Sequence, residues 1–211
     1  MNEPKTIIVS APSGCGKGTI LHSVFEGKDM FYSVSCTTRA PREGEVNGTD
    51  YHFISTRKFR SMIKDDLFLE HACFSGNYYG TPKEPVDSSL AEGKDVILEI
   101  ETQGAFQVKE KRPETPMIFI LPPSVAELRR RLKKRGTEDD ATIEKRMANA
   151  ASEIANSVKY DYVMMNDDLD AALADFVTIY NAIKNGDGSA DRFSPKNENT
   201  VKMINEVLEN A

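Results

Sequence analysis

Ala11-Pro12-Ser13-Gly14-Cys15-Gly16-Lys17-Gly18-Thr19 is the stretch on which the fold turns. It follows the apolar run Ile7-Ile8-Val9 and precedes Ile20, Leu21, Val24 and Phe25 at helical spacing. A buried strand, a tight glycine turn and a helix start, in that order, form the setting of a phosphate-binding loop. Glycine lets the backbone curl so that successive N–H groups point inward. The helix start adds a partial positive charge and Lys17 a full one. The match to GxxxxGK[ST] departs in two places. Ala11 stands where the first glycine is expected, and Gly18 fills the hydroxyl position, with Thr19 one residue late. An ordinary glycine-rich strand-to-helix turn is the competing reading. Ala11 further predicts a first turn without positive φ, since an L-residue must adopt it.

Downstream, strand-like and helix-like stretches alternate. Tyr32-Ser33-Val34-Ser35 reads as a short strand, and then the chain turns polar through Cys36-Thr37-Thr38-Arg39-Ala40-Pro41-Arg42. Two arginines three apart in a threonine-rich, proline-stiffened segment can hold a phosphate by forked, charge-assisted hydrogen bonds; a solvated loop is the alternative. Residues 57–69 carry Phe59, Met62, Ile63 and Leu67 as a helical stripe. Gly76-Asn77-Tyr78-Tyr79-Gly80 reads as a turn that presents phenol hydroxyls, or as a hairpin whose rings only pack. A helix is predicted over 86–92, then the strand Asp95–Glu101, whose Glu99 and Glu101 face one way at the ligand-binding edge of a parallel sheet. There they could meet Mg²⁺ or a polar base edge, or serve only as caps and surface ion pairs.

A helix to Lys111 follows, then the apolar strand Met117–Leu121. Ser124-x-x-Glu127 has the form of a capping box and opens a helix with six basic residues in the seven from Arg129 to Arg135. A second helix, with Ile143, Met147, Ala150 and Ile154 inward and Arg146 among its polar residues, completes the make-up of a mobile lid over phosphates. Tyr162–Met165 is the last strand. Asn166-Asp167-Asp168 caps a helix to about Lys184 with the stripe Leu169, Leu173, Phe176, Val177 and Tyr180. A linker at 185–189 leads to a short terminal helix marked by Val201, Ile204, Val207 and Leu208.

Composition sets limits. The 211 residues are 28% charged and 39% hydrophobic with net charge −6, the profile of one globular core with insertions. That charge gives no general attraction to nucleic acid or anionic membrane. No apolar run approaches the roughly 20 residues of a membrane span, and Met1-Asn2-Glu3-Pro4 lacks a signal-peptide pattern. Cys15, Cys36 and Cys73 lack metal-ligand spacing and read as reduced thiols of a cytoplasmic protein. His22, His52 and His71 are scattered and form no triad or zinc site.

By now the chain resembles the guanylate kinases from about residue 5 to residue 184. The segments that carry the likeness are Ser13–Lys17, Ser35–Glu45, Gly48-Thr49-Asp50-Tyr51, Ser75–Gly80, Arg135-Gly136-Thr137-Glu138 and Asn166–Leu169. The resemblance implies an α/β fold: a parallel phosphate-loop sheet flanked by helices, with a GMP-binding insertion and a helical lid. Its divisions would be core at 1–33, insertion at 34–84, core at 85–124, lid at 125–155, core at 156–185 and an extension at 186–211.

The same resemblance implies residue roles. Arg39, Arg42, Tyr51 and Tyr79 would hold the GMP phosphate, while Ser35, Glu70, Thr81 and Glu101 would read the guanine. Residues Ala11 to Thr19, with Lys17 foremost, would hold the ATP phosphates. Asn166 and Asp167 would lie near the adenine. Lys17, Arg39, Arg135 and Arg146 would be the catalytic cations. Mg²⁺ would be held through ATP phosphates and water, with Thr19 and Glu99 as candidate ligands. Glu99 and Glu101 stand where the family usually has Asp. The partners implied are ATP and GMP, with dGMP a further candidate and no nucleic acid or membrane. A non-catalytic, protein-binding module of the same fold is the rival reading; Lys17 and the arginines oppose it. Cys15, beside Lys17 at a helix start, is expected to have a lowered pKa and to be shielded from alkylation by ATP.

Overall fold

The computed structural model describes residues 3–74, 76–135 and 140–209, with only the backbone of Phe74 and Arg135. Among them a five-stranded parallel sheet has the order β2-β7-β1-β8-β9, formed by Met30–Tyr32 (β2), Asp95–Glu99 (β7), Thr6–Ser10 (β1), Met117–Leu121 (β8) and Tyr162–Met165 (β9). β1 and β8 are buried along their whole length, as parallel strands covered on both faces must be. The chain divides into two compact units, one of Val9–Lys28 and Pro116–Ala211, the other of Glu3–Ile8 and Asp29–Thr115.

The first unit holds Lys17–Phe25 (α1), Val125–Arg135 (α5), Asp140–Ala155 (α6), Leu169–Asn185 (α7) and Glu198–Glu209 (α8). Phe25 joins α1 to α7 through edge-on contacts with Phe176 and Tyr180, at 5.7 and 5.4 Å. α6 buries Ile143, Met147, Ala150 and Ile154, the predicted stripe. Ser124 accepts from the N–H of Glu127 at 3.1 Å, as a capping box requires. Glu127, however, turns to Arg130 and Arg131, which hold its carboxyl down at about 2. Asp168 caps α7 by accepting from the N–H of Ala171 at 2.9 Å. The stripe expected on α7 is displaced: Ala172, Phe176, Ile179 and Ala182 are buried, whereas Leu169 is 41% exposed in the first turn. α8 differs likewise, burying Thr200, Ile204 and Val207 and exposing Val201. One residue is a 100° rotation on a helix, so a small residue such as Ala172 can take the inward place from a bulkier neighbour. The linker also contains a 3₁₀ turn, Gly188–Phe193, with Ala190 and Phe193 buried.

The second unit carries a four-stranded sheet of order β4-β3-β6-β5, from His52–Phe53 (β4), Cys36–Thr37 (β3), Asn77–Pro82 (β6) and Phe68–Phe74 (β5). β5 and β6 form an antiparallel hairpin. Thr56–Lys64 (α2) lays Phe59 on Phe68, ring centroids 4.5 Å apart, in a small core shared with Cys36. Lys83–Ala91 (α3) and Thr102–Lys111 (α4) complete the unit. The early strand is Met30–Tyr32, ahead of the predicted Tyr32–Ser35. The helix expected over 57–69 stops at Lys64; Asp66 turns the chain at φ 53°, and Leu67 is left 46% exposed. Helical spacing had absorbed the first apolar residues of a strand.

Candidate active site

In the first unit, the loop after β1 is built as its glycines require. Gly14 and Gly16 have φ of 90° and 92°, a left-handed region costly for any side chain, and the N–H of Cys15 closes a turn onto the carbonyl of Pro12 at 3.1 Å. Ala11 is absent from the positive-φ residues, as its side chain demands. Space is equally tight. A Cβ on Gly14 would lie 2.9 Å from Leu132 of α5, and one on Gly16 would lie 2.5 Å from the Asn166 amide. Lys17 is the first residue of α1, while Gly18 and Thr19 are exposed on its first turn. The Arg146 guanidinium donates to the Ser13 hydroxyl on the loop. The side chain of Arg135 and residues 136–139 lie outside the described residues, so the structure places Arg135 only by its backbone at the end of α5.

Asn166 has a structural partner in this unit, and Cys15 departs from expectation. Asn166 is buried, and its amide donates to the Cys15 carbonyl at 2.7 Å, bracing the loop, while Asp167 is exposed. Cys15 is turned toward β8. Its thiol is fully buried and donates to the Ile120 carbonyl of β8 at 3.4 Å. Burial pushes its pKa up to about 12 against the opposing charges of Arg131 and Lys17, which corrects the expected lowering. Iodoacetamide at pH 8 will therefore leave Cys15 unlabelled whether or not ATP is present, while exposed Cys73 reacts. Peptide mass mapping checks this; labelling of Cys15 that ATP suppresses would restore the original reading.

The second unit gathers another set. Arg39 forms a two-pronged pair with Glu45, Nη1 to Oε2 at 2.9 Å and Nη2 to Oε1 at 2.8 Å, and also donates to the Ala40 carbonyl. Glu45 Oε2 accepts from the Arg42 N–H at 2.7 Å. The Arg39 guanidinium lies 5.5 Å from the Tyr51 ring centre, and Tyr51 meets Tyr79 edge-on at 6.0 Å. Arg39, Tyr51 and Tyr79 thus form one cluster, with the exposed Arg42 side chain on the same loop. Ser75, part of the tyrosine motif, lies outside the described residues. Ser35 is half-buried, its carbonyl accepting from the N–H of His52.

Glu70 and Thr81 are adjacent across the hairpin, both buried, with the Thr81 hydroxyl donating to Glu70 Oε1 at 2.6 Å. Burial lifts the Glu70 pKa to about 7; the Thr81 hydroxyl lowers it, the Glu101 charge raises it, and Lys111 lowers it. For a carboxyl raised this far above its unfolded value, the native state binds the extra proton between about pH 4.5 and 7. Its contribution to stability is present at the acid end and is lost as pH rises through 7. The Tm of the ligand-free protein should therefore carry a component that falls from pH 5 to pH 8. The Glu70 side-chain carboxyl ¹³C resonance should titrate near 7, and a midpoint near 4.5 would contradict the burial argument.

Glu99 and Glu101 do not share a strand face. β7 ends at Glu99, and Glu101 is the N-cap of α4, both its oxygens accepting from the N–H groups of Gln103 and Gly104 at 2.9 Å. The longer Glu side chain reaches back to its own helix start, which the alternation argument did not foresee. Among the described residues no three His, Cys, Asp or Glu side chains group as metal ligands. Thr19 in the first unit and Glu99 in the second each carry oxygen atoms of the hard type that Mg²⁺ takes.

Sequence reasoning passed over several residues. Arg131 pairs with Glu127 and donates to the carbonyls of Cys15 and Asn166, at 3.4 and 3.3 Å. Glu45 lay inside a quoted motif without a role. Gly104, Gln107 and Lys111 lie along α4, where attention to apolar spacing hid them. Their only sequence signal is a spacing of three and then four residues.

A phosphate loop after the first strand of a parallel α/β sheet, and an arginine–tyrosine cluster in a separate unit, define a nucleotide-binding protein of the phosphate-loop class. The chain belongs to the guanylate kinase family, whose model matches residues 3–183. It is 50% identical over 185 residues to the guanylate kinase of Carboxydothermus hydrogenoformans, covering 87% of this chain and 91% of that one. To the guanylate kinase of Deinococcus radiodurans it is 44% identical over 206 residues, 97% of this chain and 86% of that protein. The crystal structure of guanylate kinase from Anaplasma phagocytophilum superimposes with a TM-score of 0.72 at 32% identity, covering 87% and 88% of the two chains.

Proposed function

We infer that this chain transfers the γ-phosphoryl group of ATP to a phosphate oxygen of GMP, giving ADP and GDP. The observation that carries the choice of GMP is Glu70, a buried carboxyl bonded to Thr81 in the unit that also holds the Arg39–Tyr51–Tyr79 cluster. Guanine offers adjacent N1–H and N2–H donors, and one ionised carboxylate accepts both. Adenine presents an acceptor at N1, which would leave a buried charge unpaired at a cost of a few kcal/mol. Ser35 and Thr81 complete the base site. Glu101, holding the start of α4, acts on the base through Glu70.

Arg39, Arg42, Tyr51 and Tyr79 bind the GMP phosphate. The Arg39 guanidinium is held by the Ala40 carbonyl, by Glu45 and by Tyr79, which fixes the plane in which it can meet an anion. On the donor side, Lys17 and the N–H groups of residues 11–19 hold the ATP phosphates, Arg146 and Arg135 add charge, and Asn166 braces the loop beneath them. Asn166 and Asp167 lie on the adenine side. The accepting oxygen is already anionic, so no general base is required; the barrier lies in bringing two anions together and stabilising the charge that spreads in line. Mg²⁺ bound with ATP would be held through phosphate oxygens and water and would neutralise phosphate charge, with Thr19 and Glu99 as candidate ligands. Relatives at this identity that carry the name guanylate kinase favour the enzyme over the non-catalytic module. A cytoplasmic location agrees with three unpaired cysteines and with no described helix long and apolar enough to cross a membrane.

A coupled assay offering GMP, AMP, dTMP and UMP with Mg-ATP tests the reading. ADP formation with GMP alone supports it. Turnover of AMP in preference to GMP would overturn the role of Glu70.

A further inference from the structure

We propose that one face of α4, made by Gly104 and Gln107, is the platform that fixes the position of Glu70 and thereby sets discrimination for the guanine 2-amino group. The proposal rests on Glu70 as the base-reading residue. β5 is an edge strand, since the four-stranded sheet runs β4-β3-β6-β5. Its outer backbone groups have no strand to pair with, and such groups need other partners when buried. α4 supplies them with side chains.

The Gln107 amide makes a double contact with one residue of β5. Its Oε1 accepts from the N–H of His71 at 3.2 Å, and its Nε2 donates to the His71 carbonyl at 2.9 Å. Lys111, one turn further along the same face, donates to the Leu69 carbonyl at 2.7 Å. Leu69 and His71 flank Glu70 in the chain. The backbone on both sides of the reading residue is therefore tied to α4, while Glu70 itself faces Thr81 on β6.

Gly104 sets the remaining dimension. A Cβ there would lie 2.5 Å from Glu70 Oε2 and 2.9 Å from its Cδ, so the carboxyl rests directly on the helix backbone. No side chain fits without moving it. Gly104 and Gln107 are three apart and share a helix face, so depth and alignment of the carboxyl are governed by one surface. Both are positioning residues, acting through Glu70.

Inosine monophosphate, which is GMP with its 2-amino group replaced by hydrogen, is the probe. It loses the second donor of the guanine edge and so reports the two-point contact with Glu70. The kcat/KM ratio of GMP to inosine monophosphate is measured for the wild type, Gly104→Ala and Gln107→Met, together with the KM for ATP and the Tm. The ratio should fall by about tenfold or more in Gly104→Ala and by roughly threefold or more in Gln107→Met, mainly through KM for GMP, with KM for ATP within about twofold of wild type. General loss of folded protein lowers both nucleotides equally and leaves the ratio untouched. An intact ratio in both folded variants would sink the platform alone. A wild-type ratio near one would overturn the reading of Glu70, and the platform with it. If Gly104→Ala does not fold, Gln107→Met, which adds no bulk, decides the matter.

Discussion

Lys17→Ala will lower kcat for GMP phosphorylation by about 10³-fold or more while leaving the circular dichroism spectrum and Tm near those of the wild type. Lys17 opens α1 directly after Gly16, whose left-handed conformation turns the loop into the helix. The backbone curl does not depend on the lysine side chain. It is set by the glycines, by the Cys15-to-Pro12 turn and by the Asn166 amide beneath. Removing the ammonium therefore deletes charge where phosphoryl transfer develops it and leaves the loop standing. Steady-state kinetics with saturating Mg-ATP give the answer, and near-normal turnover would remove Lys17 from the mechanism.

Glu70→Gln should be nearly as severe, and for a different reason. The amide has almost the shape of the carboxyl and can still accept from Thr81, so the hairpin should persist. Toward the base it sets an N–H₂ donor against a guanine donor and leaves both short of a partner. A loss of kcat/KM for GMP on the order of 10³-fold follows, concentrated in KM, with KM for ATP little changed. The same variant should be at least as stable as the wild type at pH 8, because it removes a carboxyl that must ionise while buried. The component of Tm that falls with pH in the wild type should vanish. A variant that binds GMP normally would exclude Glu70 from the base site, and one that keeps the pH slope would assign the titration to another group.

The alternating core of the fold could be read from residue order alone, because parallel strands buried on both faces leave continuous apolar runs. Met117–Leu121, Tyr162–Met165 and the inward face of α6 fell where their patterns put them. Errors arose where a local pattern had two physical meanings. Leu67 continued a helical period but lies exposed between α2 and β5, and Glu101 continued a strand period but caps a helix. At the site, residue types were legible and their partners were not. The pairing of Arg39 with Glu45, and the clamp of Gln107 on His71, join residues whose relation no spacing rule encodes. Cys15 shows the limit from the other side: its neighbours along the chain suggested reactivity, and its direction beneath the loop cancels it.

The pairing of Arg39 with Glu45 also bears on how a nucleotide arrives. A bare arginine cluster attracts any small anion at long range, including orthophosphate and the phosphates of other metabolites. Here the carboxylate neutralises the guanidinium at 2.8 Å and leaves its directional hydrogen bonds in place. The distant pull is weakened while the short-range fork is kept, so recognition there would depend on geometry more than on field. A mononucleotide that also satisfies Glu70 gains both contacts, whereas a free phosphate gains only one. If Arg39 holds the GMP phosphate as proposed, the ion pair would work as a filter against the abundant anions of the surrounding solution.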